Sequence, residues 1–69
     1  MTYAQFKTSE LVHEAYWYME RLLSATTIQS CKTCTRNLEK IGQDLRRRHY
    51  KGEVMDRLAS LGIDCTPRI

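Results

Sequence analysis

The sequence is short of nearly everything that elaborate chemistry uses. It has one proline, three glycines, two histidines and six aromatic residues among 69. No uninterrupted apolar run approaches the ~20 residues of a membrane-spanning helix, so no membrane partner is expected. There is no glycine-rich loop to cradle a phosphate. The histidines stand far apart, and no nucleophile has an evident base and orienting acid beside it, so the chain reads as a non-enzyme. The opening MTYAQFKTSE lacks a basic stretch followed by an apolar block. The expectation is therefore no secretory signal, a cytoplasmic location and reduced thiols. Three cysteines cannot all pair within one chain. No internal repeat is present; Gly42, Gly52 and Gly62 are evenly spaced, but the residues around them do not match.

What is there points to helices. Hydrophobic residues make up 42% of the chain and charged residues 28%, a balance of ordered rather than disordered protein. From Thr8 to Ala25, Leu11, Ala15, Tyr18 and Leu22 recur at helical spacing, with Val12, Tyr16, Met19 and Leu23 widening the same face to an arc of about 160°. Thr8 or Ser9 is the expected N-cap. Thr2-Tyr3-Ala4-Gln5 also has capping-box character, which would start the helix near Tyr3. Ser24-Ala25-Thr26-Thr27 reads as a junction. A second helix is expected from Ile28 to His49, with Cys31, Leu38 and Leu45 interleaved with Cys34 and Ile41 as a lengthwise seam. Gly42 beside that seam implies close approach of a neighbour, and Gly52 is the expected left-handed cap. Val54, Leu58 and Leu61 define a short third helix from Glu53 to Leu61, capped by Gly62 with Ile63 in Schellman contact. The tail DCTPRI reads as irregular.

The expected fold is all-α, a single domain: an antiparallel helical hairpin with a short third helix. A second copy is a candidate cover for the wide apolar arc, which makes a homodimer a possible partner arrangement.

Cys31-Lys32-Thr33-Cys34 poses a choice. On the seam, both thiols read as small core hydrophobes. The alternative is a zinc-stabilised module, with Cys31, Cys34, Cys65 and His49 (or His13) as a Cys3His set. Redox activity needs the first thiol at a helix N-terminus after a strand, and no strand pattern precedes it.

Two surfaces invite a partner. Trp17 projects away from the apolar face of the first helix, among His13, Glu14 and Arg21. A helix continuing back to Tyr3 would bring Phe6 to the same side. Tryptophan at an exposed position is a frequent interface anchor, so Phe6, His13, Glu14, Trp17 and Arg21 form the leading protein-binding set. The second helix carries Lys32, Arg36, Lys40, Arg46 and Arg47, with Arg48 and Lys51 at its end. Residues 26–51 hold seven Lys or Arg against Glu39 and Asp44, a local net of +5, and the stripe from Lys32 to Arg47 runs about 22 Å. Such a stripe suits a phosphate backbone, which makes nucleic acid the alternative partner. Residues 57–66 imitate the turn of a helix-turn-helix, but Pro67 falls where the recognition helix should start.

In length and hairpin layout the chain resembles the small regulators carried by phages and plasmids, a likeness of size and shape with no motif behind it. The leading expectation is a small helical regulatory protein that docks on another protein as inhibitor or adaptor.

Overall fold

A computed structural model describes residues 3–67. Among them, α1 spans Thr8–Leu23, α2 spans Ile28–Arg47 and α3 spans Glu53–Ser60, preceded by a 3₁₀ turn at Tyr3–Gln5. The first two helices pack as a hairpin and the third lies across it, the all-α architecture that the periodicity implied. No helix of the described residues is long and apolar enough to cross a membrane.

The core is one cluster. Leu11, Ala15 and Met19 from α1 meet Leu38, Ile41 and Leu45 from α2, Val54 and Leu58 from α3, and Ile63 and Cys65 from the tail. On each helix these residues are three or four apart, so a single stripe on each element supplies the buried face.

The helix ends show where local chemistry competes. Lys7, not Thr8 or Ser9, is the N-cap of α1, in extended conformation. Its N–H donates to Glu10 Oε1 at 2.8 Å. A lysine ammonium cannot accept the reciprocal bond, so only half of a capping box forms. Thr8 is occupied elsewhere, as an acceptor from Arg48. The 3₁₀ turn is separate from α1, so the helix does not run through from Tyr3; Thr2 lies outside the described residues. Thr27 caps α2, its Oγ1 accepting from Ser30 N at 3.1 Å. The helix stops at Arg47, two residues short of expectation. His49 takes the left-handed conformation at φ 59°, and Tyr50 N donates to Leu45 O at 3.0 Å. That is a Schellman closure built on histidine instead of glycine. Gly52, expected to fill this role, has φ −171° and caps the N-terminus of α3. At the other end of α3, Gly62 has φ +78° and Ile63 N donates to Leu58 O at 3.0 Å, with Ile63 buried as anticipated. Leu61 falls just past the helix and is exposed, so it leaves the apolar face assigned to it. From Ile63 to Pro67 the backbone is irregular, and no recognition helix follows the Gly62 turn among the described residues.

Long-range contacts among the described residues close the fold at two places. The first is at Gly42, whose missing side chain is filled by the tail. A Cβ built there would overlap Cys65 Sγ and lie 3.3 Å from Leu58 Cδ1. The neighbour that needs this glycine is thus α3 and the tail, not α1. The second is Arg48. Its guanidinium donates to Thr8 Oγ1, Tyr3 O and Ala4 O, each at 3.2 Å, and pairs with Asp44 at 3.1 Å. The 3₁₀ turn is thereby tied to the end of α2. Tyr3 Oη adds a bond to Asn37 Oδ1 at 3.1 Å, and burial, the main cause, pushes its hydroxyl up to about 12.

Gly42→Ala is expected to lower stability by about 1–3 kcal/mol through overpacking. In a Cys65→Ala background the same change should be neutral or mildly stabilising, since alanine gains up to ~1 kcal/mol of helix propensity. Urea unfolding of the four proteins makes the cycle; additive effects would disprove the contact. Arg48→Lys should weaken the protein by about 1–2 kcal/mol and speed proteolysis within Tyr3–Lys7, because an ammonium cannot reproduce the fork of donors. Proteolysis at the wild-type rate would show that the turn is held by other contacts.

Candidate functional site

Trp17 lies on the outer side of α1 and is 47% exposed. Tyr18 meets its ring edge-on, with centroids 4.9 Å apart. The guanidinium of Arg21, one helical turn on, lies 4.8 Å from the centroid of the same ring. This is a cation–π contact, which holds the guanidinium against the indole without using its N–H donors. α1 presents Trp17 and Arg21 four residues apart on one face, and the Ser24–Thr27 junction then turns the chain so that the first turns of α2 stand opposite them. The result is an open cleft of about 660 Å³ between the helix ends. Its walls are Trp17, Tyr18 and Arg21 on one side, residues 24–27 at the end, and Gln29, Ser30, Thr33 and Cys34 on the other.

Of the five residues expected on this surface, Trp17 and Arg21 line the cleft. His13 is exposed and Glu14 half-buried on the preceding turns of α1, outside it. Phe6 does not belong. Its ring packs on Tyr3, centroids 5.3 Å apart, and both are half-buried against the core. The aromatic stripe from Tyr3 through Phe6 to Trp17 would require a helix that began at Tyr3. The 3₁₀ turn and the Arg48 tether redirect those rings instead. What the sequence reading missed is the junction, where Ser24, Thr26, Thr27, Ser30 and Thr33 bring a row of hydroxyls beside the indole. The signal was present as a run of small and hydroxyl residues, read only as a break between helices.

The cysteines divide. Cys34 is buried on the seam as expected, and Cys65 is buried against Gly42. Cys31 is exposed and corrects the seam assignment. The seam position is the right one, but α3 and the tail cover this flank of α2 only near Gly42. Three turns earlier nothing among the described residues lies over it, and Cys31 shares an open surface with Ile28, Lys32, Thr35, Arg36 and Glu39. Among the described residues no group of three or more His, Cys, Asp or Glu side chains is placed to hold a metal ion. Cys31, Cys34, Cys65 and His49 are therefore not brought together, nor is His13 in their place. The eight helical steps from Cys34 to Gly42, where Cys65 packs, separate the thiols by about 12 Å along α2. Burial holds the Cys65 thiol above its ordinary range, against the opposing pull of Arg46.

The basic stripe is retained in part. Lys32, Arg36, Lys40 and Arg47 are exposed on the side of α2 opposite its buried seam. Lys32, Arg36 and Lys40 make no hydrogen bond or ion pair with any described residue. Arg46 departs from the stripe and stands at the α2–α3 junction in a cleft with Glu53 and Asp56. Arg48 is removed from the surface by its role as a tether.

The largest exposed apolar side chains beside Trp17 are Leu23, at 78%, and Ile28, at 77%, flanking the junction. α3 thus takes up only part of the wide arc of α1. No family model, curated protein or solved structure matches the chain.

Cys31 is expected to take up one equivalent of iodoacetamide under native conditions, with Cys34 and Cys65 reacting only on unfolding. Peptide mass mapping after a timed quench reads the order. Equal labelling of all three would contradict the burial of the other two.

Proposed function

We propose that this protein is a non-enzymatic helical regulator that docks on a partner protein through the cleft between the C-terminal turns of α1 and the N-terminal turns of α2. The observation that carries the reading is Trp17, half exposed on an otherwise polar helix face and fixed between Tyr18 and Arg21 at the mouth of a cleft. A large aromatic side chain left partly in water forgoes burial that the fold could have used. Held rigid by two neighbours, it loses little further entropy when a partner covers it. The cleft volume falls in the usual range for sites that accept a side chain or short segment. Inhibition or adaptation is the mode suited to a chain that offers a binding surface and two well-packed helices to present it.

A second reading is supported by a separate observation, the three unpaired cations Lys32, Arg36 and Lys40 at successive turns of α2. Spaced four residues apart, they are about 6 Å apart along the axis, a repeat that can follow a phosphate backbone. This surface lies away from the Trp17 cleft, so the two readings separate by mutation.

Trp17→Ala should reduce partner capture from lysate at least tenfold while far-ultraviolet circular dichroism stays unchanged. Unfolding of the variant would place Trp17 in the core and end the docking reading. For the second reading, duplex DNA or RNA binding should weaken steeply with salt and fall on Lys32→Gln/Arg36→Gln/Lys40→Gln. An absence of binding at low salt would remove it.

A further inference from the structure

The chemistry of the cleft narrows what its partner must present. Arg21 carries five N–H donors in a rigid fork. Its guanidinium is held over Trp17, yet it makes no hydrogen bond or ion pair with any described residue. The other described lining residues include five serine and threonine hydroxyls, the Tyr18 phenol and the Gln29 amide, and no carboxylate. Among the described residues Arg21 is therefore the only charge on the cleft wall, positioned by a contact that leaves its donors unused. Beside it runs an apolar strip of Trp17, Tyr18, Ala25 and the buried Cys34. The chain's net charge of +3 also favours an anionic ligand at longer range.

We infer, resting on the docking reading above, that the partner's segment is an acidic peptide in which an Asp or Glu carboxylate pairs with Arg21 while a neighbouring apolar side chain lies against Trp17 and Tyr18. A carboxylate meets the guanidinium fork through two parallel hydrogen bonds, and such charge-assisted pairs are about twice as strong as neutral ones. Ser24 and Thr27 already donate within the chain, which leaves the hydroxyls of Thr26, Ser30 and Thr33 to donate to the second lone pairs of the same group. A simple anion satisfies the donors but leaves the apolar strip in water. A neutral apolar segment covers the strip but leaves a desolvated guanidinium unpaired, which is the costlier error. Only a ligand with both parts answers the whole surface.

The test is selection from a random dodecapeptide library on the full chain, followed by binding of the best synthetic peptide. Trp17 is the single tryptophan, so its emission reports occupancy directly. The expected outcome is enrichment of Asp or Glu next to a large apolar residue and a blue shift of emission on binding. Glu→Gln (or Asp→Asn) in the peptide and Arg21→Gln in the protein should each weaken affinity tenfold or more. The two losses should not multiply when combined, as for groups that touch each other. Arg21 is exposed, so Arg21→Gln is expected to fold normally; a circular dichroism spectrum and an unfolding curve check this. Selected peptides that lack acids, or that bind Arg21→Gln as well as wild type, would overturn the acidic-segment inference and leave docking at Trp17 standing. Displacement of the peptide by millimolar inorganic phosphate would also overturn it, as a simple anion site. Recovery of no peptide, or of peptides indifferent to Trp17→Ala, would overturn both.

Discussion

The packing of one long helix, buried along a single stripe from Cys34 through Leu38, Ile41 and Leu45, is the constraint on which the rest depends. Because α2 is continuous over 20 residues, its two ends are held a fixed distance apart. One end carries the Thr27 cap and the cleft facing Trp17. The other carries the His49 closure and the Arg48 tether. With so few residues, the chain has little apolar surface to spare. About 5 kcal/mol or less of net stability is usual at this size, so one methyl-sized error on the stripe is a large fraction of the total. The glycine at position 42 shows how tightly the margin is used. A helix-weakening residue persists in the middle of α2 because the tail and α3 occupy the space its side chain would take.

The molecule is asymmetric about that helix. The C-terminal half of α2 is covered on both flanks, by the 3₁₀ turn on one side and by α3 with the tail on the other. Among the described residues, the first turns of α2 have α1 alone. The exposed groups gather at this less covered end: Trp17, Leu23, Ile28, Cys31 and the hydroxyl row of the junction. Charge is also divided. α1 bears Glu10, Glu14 and Glu20, whereas the outer side of α2 bears Lys32, Arg36, Lys40 and Arg47. On the docking proposal, stability and recognition occupy opposite ends of one hairpin, so that a substitution at the cleft changes binding without reaching the core cluster.

Several features were legible because they depend only on neighbours in sequence. The three helices followed from spacing, the α2 cap from Thr27, and the α3 closure from Gly62 and Ile63. Others were illegible for the same reason. A histidine takes the left-handed position at 49 because Tyr50 gains core contact by it, and Gly52, the better local candidate, is needed to start α3. Arg48 looked like one more cation at a helix end. Only the return of residues 3–8 over α2 makes it a tether, and that return takes Phe6 away from Trp17.

Sequence periodicity alone determined the helical class, the order of elements and which stripe of each helix is buried, since the 3.6-residue repeat places side chains without reference to the rest of the chain. The tertiary structure decided which stretches of those stripes are actually covered. Cys31 and Cys34 have equal claims to burial by spacing, and they differ because Cys34 stands opposite α1 in the hairpin while nothing among the described residues covers Cys31. The cleft at Trp17 is likewise open because no residue of α3 or of the described tail lines it, a consequence of where elements end in space that no local pattern encodes.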